Sequence, residues 1–265
     1  MIEAKSLVKN YGDFRALDGI SFKVERGEVV GLLGPNGAGK STTMKILSAF
    51  MPASQGQVKV AGFDVFDEPM EVKKRVGYLP ETPPLYPDMR VGEFLEFVAE
   101  IKHIASSKVR SRVQYVSEHC GLEDVQKKVI GTLSKGYKQR VGIAQSLIHD
   151  PEVVILDEPT VGLDPIQIIE IRNLIKALAE SHTVILSTHI LPEVVMTCGR
   201  ILLINKGNIL ADGGVDEFTK NEGESLEQAY LRLIVGEGDS GRAGSVNNEN
   251  KNDEAPASSD AREGA

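Results

Sequence analysis

The sequence predicts an α/β fold with a β-rich N-terminal part and a helical insertion. Three observations carry that prediction. First, the apolar run Val29-Val30-Gly31-Leu32-Leu33 reads as a buried strand. It passes through Gly34-Pro35-Asn36-Gly37-Ala38-Gly39-Lys40-Ser41-Thr42 into Thr43-Met44-Lys45-Ile46-Leu47, the first turns of a helix. Second, Val153-Val154-Ile155-Leu156 and Thr183-Val184-Ile185-Leu186 are continuous apolar runs, typical of central parallel strands covered on both faces. A helix expected over 166–179 lies between them and completes a βαβ unit. Third, apolar residues recur at helical spacing over 91–104, 109–120 and 138–149, so residues from about 82 to 148 read as a helical insertion.

The remaining elements follow in order. Residues 1–62 read as β-rich with one helix. Leu17-Asp18-Gly19-Ile20-Ser21-Phe22-Lys23-Val24 alternates apolar and polar, as a half-buried strand does. Arg26-Gly27-Glu28 is a turn, and Gln57-Val58-Lys59-Val60-Ala61-Gly62 a further short strand. Arg200-Ile201-Leu202-Leu203-Ile204, Lys206-Gly207-Asn208 and Ile209-Leu210 read as a hairpin. From Gly236 onward the chain is Gly, Ser, Asn, Ala and charge. It lacks the apolar surface to offset its ordering entropy. The expectation is a folded unit over 1–235 and a disordered acidic tail over 236–265.

Composition sets limits. With 265 residues the chain suits one large α/β domain, or one domain with an inserted subdomain, and 41% hydrophobic and 26% charged residues are ordinary for a soluble globular protein. No apolar run approaches the ~18 residues of a membrane helix, and Met1-Ile2-Glu3-Ala4-Lys5 lacks a signal-peptide core. A cytoplasmic protein is expected. Cys120 and Cys198 lie far apart and in no ligand spacing, which suggests neither a disulfide framework nor a zinc site. The net charge is −8, and the body and the tail are both acidic, so nucleic acid is not expected as a partner.

The loop Gly34 to Thr42 fits G-x-x-x-x-G-K-[ST], in which backbone N–H groups and a helix N-terminus converge on a polyphosphate. Lys40 is expected to reach the β- and γ-phosphates, and the Ser41 hydroxyl to ligate Mg²⁺. The run 153–156 ends in Asp157-Glu158 and so delivers two acids to the edge of a parallel sheet, where ligands bind. Asp157 is the expected metal ligand. Glu158, one residue on, is the candidate general base or water-orienting group.

Upstream, Leu133-Ser134-Lys135-Gly136-Tyr137-Lys138-Gln139-Arg140 resembles the signature motif of ATP-binding cassette (ABC) proteins, L-S-G-G-Q-x-Q-R. Lys135 replaces its first glycine and Tyr137 its glutamine. The Ser134 hydroxyl and the Gly136 N–H at a helix start would form a second phosphate-binding corner. Two such corners imply that the second acts on a nucleotide held by another copy. Other matches follow in the family's order: Tyr11 resembles the aromatic that stacks on adenine, and Gly162-Leu163-Asp164-Pro165 the loop that lines the dimer contact. Ser187-Thr188-His189 resembles the segment carrying the switch histidine, which contacts the γ-phosphate.

The resemblance covers residues 2 to about 235. It implies a phosphate-loop nucleotide triphosphatase fold: a RecA-like core, an N-terminal antiparallel β-subdomain and an inserted helical subdomain. It further implies ATP and Mg²⁺ as cofactors, hydrolysis at Glu158 and His189, and a head-to-tail dimer with ATP between Gly34–Thr42 of one copy and Ser134 and Gly136 of the other. The partner is then an integral membrane permease encoded separately, with this subunit peripheral on the inner membrane face. Val76-Gly77-Tyr78-Leu79-Pro80-Glu81 and the segment 225–233 are similar to exporter-type members, gliding-motility-associated ones included. One departure stands out: Glu81 occupies a position that is usually glutamine. It can keep the metal contact, but an ionised carboxylate has no N–H to donate. Apolar residues in the Pro-rich loop Pro83-Pro84-Leu85-Tyr86-Pro87 are expected to meet the permease. Asn205-Lys206-Gly207-Asn208 resembles the guanine-reading N-K-x-D without its aspartate, and the hairpin accounts for it. A soluble ABC ATPase with a non-transport partner is the alternative reading, and a module that holds ATP without turnover is a further one.

Overall fold

The computed structural model describes residues 1–219 and 224–235. The stretch 236–265, expected to be disordered, lies outside the described residues. In chain order, β1 (Ile2–Tyr11) and β2 (Phe14–Val24) form a hairpin, and β3 (Val29–Leu33) runs into α1 (Lys40–Leu47). β4 (Gln55–Val60), β5 (Phe63–Asp64) and α2 (Pro69–Arg75) lead to β6 (Val76–Leu79). Helices α3 (Val91–Ile101), α4 (Ser106–His119) and α5 (Lys135–Leu147) fill the interval before β7 (Val153–Asp157). α6 (Pro165–Leu178) crosses to β8 (Thr183–Thr188), and α7 (Leu191–Thr197) leads to the hairpin of β9 (Arg200–Asn205) and β10 (Asn208–Gly213). α8 (Val215–Phe218) and α9 (Leu226–Val235) follow.

The strands form two sheets. An antiparallel sheet has the order β2-β1-β4-β5, and a six-stranded sheet the order β10-β9-β3-β8-β7-β6. Pairings in the larger sheet are parallel from β9 through to β6, and β10 closes its edge antiparallel to β9. β7, α6 and β8 make the expected βαβ unit. Side chains alternate across this sheet. Val153, Ile155 and Ile185 join one core with β1, β2 and α1, whereas Val154, Leu156 and Leu186 join the other with α3, α4 and α5. Burial on both faces is why these strands are apolar without a break.

α3 starts at Val91, as the periodicity has it, and ends three residues sooner, while α4 and α5 each start three residues before the apolar spacing begins. α5 begins at Lys135 because Ser134 caps it, its hydroxyl accepting from the Tyr137 N–H. β6 is an addition to the sequence reading. Val76-Gly77-Tyr78-Leu79 is too short to show a period, yet it pairs with β7 along its length. Its edge position carries the chain directly to Glu81.

Pro83 to Pro87 follows β6. Leu85 is half-buried against the helical core. Tyr86 is half-exposed, edge-on to Phe94 at 5.9 Å and tilted against Phe97 at 5.5 Å. The loop is therefore seated on the helices rather than free. Asn205 to Asn208 is the turn between β9 and β10, as the hairpin reading expects. Among the described residues no helix is long and apolar enough to cross a membrane.

Candidate active site

Three adjacent parallel strands, β3, β8 and β7, end at the same edge of the large sheet. Each delivers part of one cleft of about 370 Å³, lined by Tyr11, Lys40, Ser41, Glu81, Glu158 and His189 among others. β3 supplies the glycine-rich loop. Gly39 has φ +109, and a Cβ there would stand 2.8 Å from the Ala16 carbonyl oxygen, so only glycine fits. α1 starts at the next residue with no side-chain cap, which leaves its first-turn N–H groups for whatever the loop encloses.

The Lys40 ammonium is buried. It donates to the carbonyls of Gly34 at 2.8 Å and Pro35 at 3.2 Å, and lies 3.3 Å from Glu158 Oε1. Asn36, Gly37, Gly39 and Thr42 line the cleft, while Ala38 is buried. The Ser41 hydroxyl donates to Asp157 Oδ1 at 3.1 Å, and the Ser187 hydroxyl donates to the same oxygen at 2.6 Å. Burial raises the Asp157 carboxyl above its ordinary value, and the bonds from Ser187 and Ser41 work against that rise.

Glu158 is 6% exposed and has φ +50, a left-handed conformation that costs a non-glycine residue roughly 1–3 kcal/mol. Its N–H is held by the Ser187 carbonyl at 3.2 Å and the Ser187 hydroxyl at 3.0 Å. Its second oxygen, Oε2, lies 3.0 Å from His189 Nδ1. The carboxylate is thus set between an ammonium and an imidazole, turned out of line with β7. Strain of this kind clusters at functional sites.

Glu81 sits exposed at the cleft edge. Tyr11 presents a ring 45% exposed, with the Lys9 ammonium 5.4 Å from its centroid and its hydroxyl against Met51 Sδ at 3.2 Å. Phe14, also exposed and lining the cleft, was missed by the sequence reading. Its signal was an aromatic three residues after Tyr11, across a Gly-containing turn. Ser187 was missed as well: it stood inside the quoted Ser-Thr-His segment, but its partners lie 29 and 30 residues away.

Ser134, Gly136 and Asp164 stand apart from this cleft. Ser134 is exposed at the start of α5, and Asp164 caps α6 by accepting from the Gln167 N–H at 2.9 Å. A Cβ on Gly136 would stand 2.7 Å from Gln167 Cδ, so the starts of α5 and α6 lie close together and a larger residue there would have to displace the Gln167 side chain.

A glycine-rich loop leading into a helix, beside a strand that ends in two carboxylates, defines a phosphate-loop nucleotide triphosphatase. Comparison with known proteins narrows the class. The model of the ABC transporter family matches residues 17–161. Over 241 residues the chain is 35% identical to the probable multidrug ABC transporter ATP-binding protein YbhF of Escherichia coli, covering 88% of this chain but only 42% of that protein. It is 37% identical over 229 residues to the bacitracin transport ATP-binding protein BcrA of Bacillus licheniformis, covering 86% of this chain and 74% of that one. Among solved structures, the dimeric post-hydrolysis state of the ATP-binding cassette MJ0796, bound to ADP and Pi, superposes with a TM-score of 0.73 at 25% identity, covering 81% of this chain and 98% of that one. The chain belongs to the ABC transporter family and carries its ATP-binding ATPase cassette.

Proposed function

We propose that the chain is the ATP-hydrolysing subunit that drives a separate membrane permease, in the direction of export. The observation that carries hydrolysis is the Lys40–Glu158–His189 cluster at the floor of the cleft, with contacts of 3.3 and 3.0 Å. Lys40 exchanges its carbonyl partners for the β- and γ-phosphates of ATP. Glu158 then faces the attacking water and orients it or takes its proton, and His189 contacts the γ-phosphate. Tyr11 stacks on the adenine.

The donor set fits Mg²⁺, which takes oxygen ligands, commonly one or two carboxylates beside substrate phosphates. Ser41 Oγ and Asp157 are already 3.1 Å apart, and Glu81 is the third candidate ligand. The ion would neutralise charge on the transferring phosphoryl group.

Ser134 and Gly136 act on the nucleotide of a second copy, with Asp164 near the dimer contact. Support comes from their separation from the cleft within one chain, and from the dimeric state in which the related cassette MJ0796 is described. Export is favoured by the relatives named for bacitracin transport and multidrug transport. The permease would hold the subunit at the inner membrane face. The test is ATPase activity and transport in proteoliposomes that contain the permease and this subunit. Full ATP turnover with no dependence on the permease, and no transport, would reject the coupling.

A further inference from the structure

Glu193, in α7, is a buried carboxylate to which the site described above gives no role. Its Oε2 accepts from the Thr160 hydroxyl at 2.5 Å and from the Thr188 hydroxyl at 3.1 Å. Among the described residues its Oε1 is buried with no hydrogen-bond partner. Thr160 lies two residues after Glu158, and Thr188 immediately before His189. The Thr188 hydroxyl also accepts from the Ile190 N–H at 3.0 Å, closing a short turn around His189. A hydroxyl has one proton to give. Glu193 takes it and thereby directs the lone pairs of Thr188 to Ile190.

We propose that Glu193 is a positioning residue. One carboxylate oxygen ties the loop after Glu158 to the turn that carries His189, and so maintains the 3.0 Å contact between them. The proposal rests on the catalytic assignment of Glu158 and His189 made above. Packing alone would favour an apolar side chain here, because a buried carboxylate costs free energy that the unpaired Oε1 does not recover. The carboxylate's own backbone is fixed. The neighbouring Val194 is fully buried against β3, where a Cβ on Gly31 would stand 2.6 Å from Val194 Cγ1.

The experiment is steady-state turnover of Mg-ATP by the full chain, with melting temperature measured alongside. Glu193→Leu lowers kcat roughly tenfold or more, since a small misplacement of reacting groups is enough to do so, and leaves KM for ATP within about twofold. Glu193→Gln recovers most of kcat, because its carbonyl oxygen still accepts from both hydroxyls. Thr160→Val, nearly isosteric, removes one of the two ties and lowers kcat even if the leucine variant fails to fold. Glu158→Gln is run beside them. If Glu158→Gln collapses turnover while Glu193→Leu and Thr160→Val keep wild-type kcat, the positioning role is overturned. A glutamine variant as impaired as the leucine variant overturns the two-acceptor geometry. Normal turnover in Glu158→Gln rejects the catalytic assignment itself, and the positioning role falls with it.

Discussion

Replacing Glu158 with glutamine removes one charge and almost no volume. The structure indicates what remains in place. The amide oxygen can face Lys40, 3.3 Å from the present Oε1, and the amide nitrogen can donate to His189 Nδ1 across the present 3.0 Å. The Glu158 backbone stays held by Ser187 at 3.2 and 3.0 Å. Lys40 keeps the Gly34 and Pro35 carbonyls and loses the anion that competes with phosphate for it. ATP affinity should therefore hold or rise. Turnover should fall by the worth of a positioned general base, roughly 10²- to 10⁴-fold. At about 1.4 kcal/mol per tenfold, that is about 3–5 kcal/mol of transition-state stabilisation. The assay is steady-state phosphate release, with ATP affinity measured by calorimetry on the same preparation. Turnover within about threefold of wild type would refute the reasoning, because a loss that small is far below what an acid–base group supplies. Loss of ATP binding would refute it differently, by showing that the carboxylate builds the pocket.

Other outcomes follow from the same geometry. The Glu158→Gln protein should dimerise with ATP in light scattering, and adding Ser134→Arg should keep it monomeric; a monomer at saturating ATP in the single variant counts against the two-copy site. Tyr86→Asp removes an exposed ring that contacts Phe94 and Phe97, a packing loss of about 0.5–1.5 kcal/mol. It should leave ATP binding intact and weaken co-purification with the permease, and normal assembly would move the docking surface elsewhere. Burial and the nearby Lys102 push the His149 pKa down from 6.5 to about 4. The unfolded chain therefore binds more protons than the folded one between those values. Stability should fall as pH drops through that window, by up to about 3 kcal/mol. His149→Gln should flatten the decline in a chemical-denaturation series, and an unchanged slope would assign the acid sensitivity to other groups.

Much of the candidate site was legible in the sequence because the residues proposed for it lie in local motifs. The loop from Gly34 to Thr42 needs glycines where the backbone turns closely, a lysine and a hydroxyl, all within nine consecutive residues. The apolar run before Asp157-Glu158 announces a central strand, since burial on both faces leaves no polar position until the strand ends. The helical insertion and the βαβ crossover were legible for the same reason: each writes a period or an unbroken run into contiguous residues. Sequence alone did not give the partners of those residues. Ser187 meets Asp157 only because β8 lies beside β7 in a register that sets Asp157 opposite Ser187, and a one-residue slip would turn every side chain of the strand to the other face. β6 became a strand by pairing, with too few residues to show a pattern. The left-handed turn at Glu158, the tie from Glu193 to Thr160 and Thr188, and the separation of Ser134 from the cleft depend on how distant segments stack against one another. Motif chemistry is carried by neighbours along the chain and is fixed by the sequence itself, whereas the distances that join motifs are decided by strand order and packing, which exist only once the chain has folded.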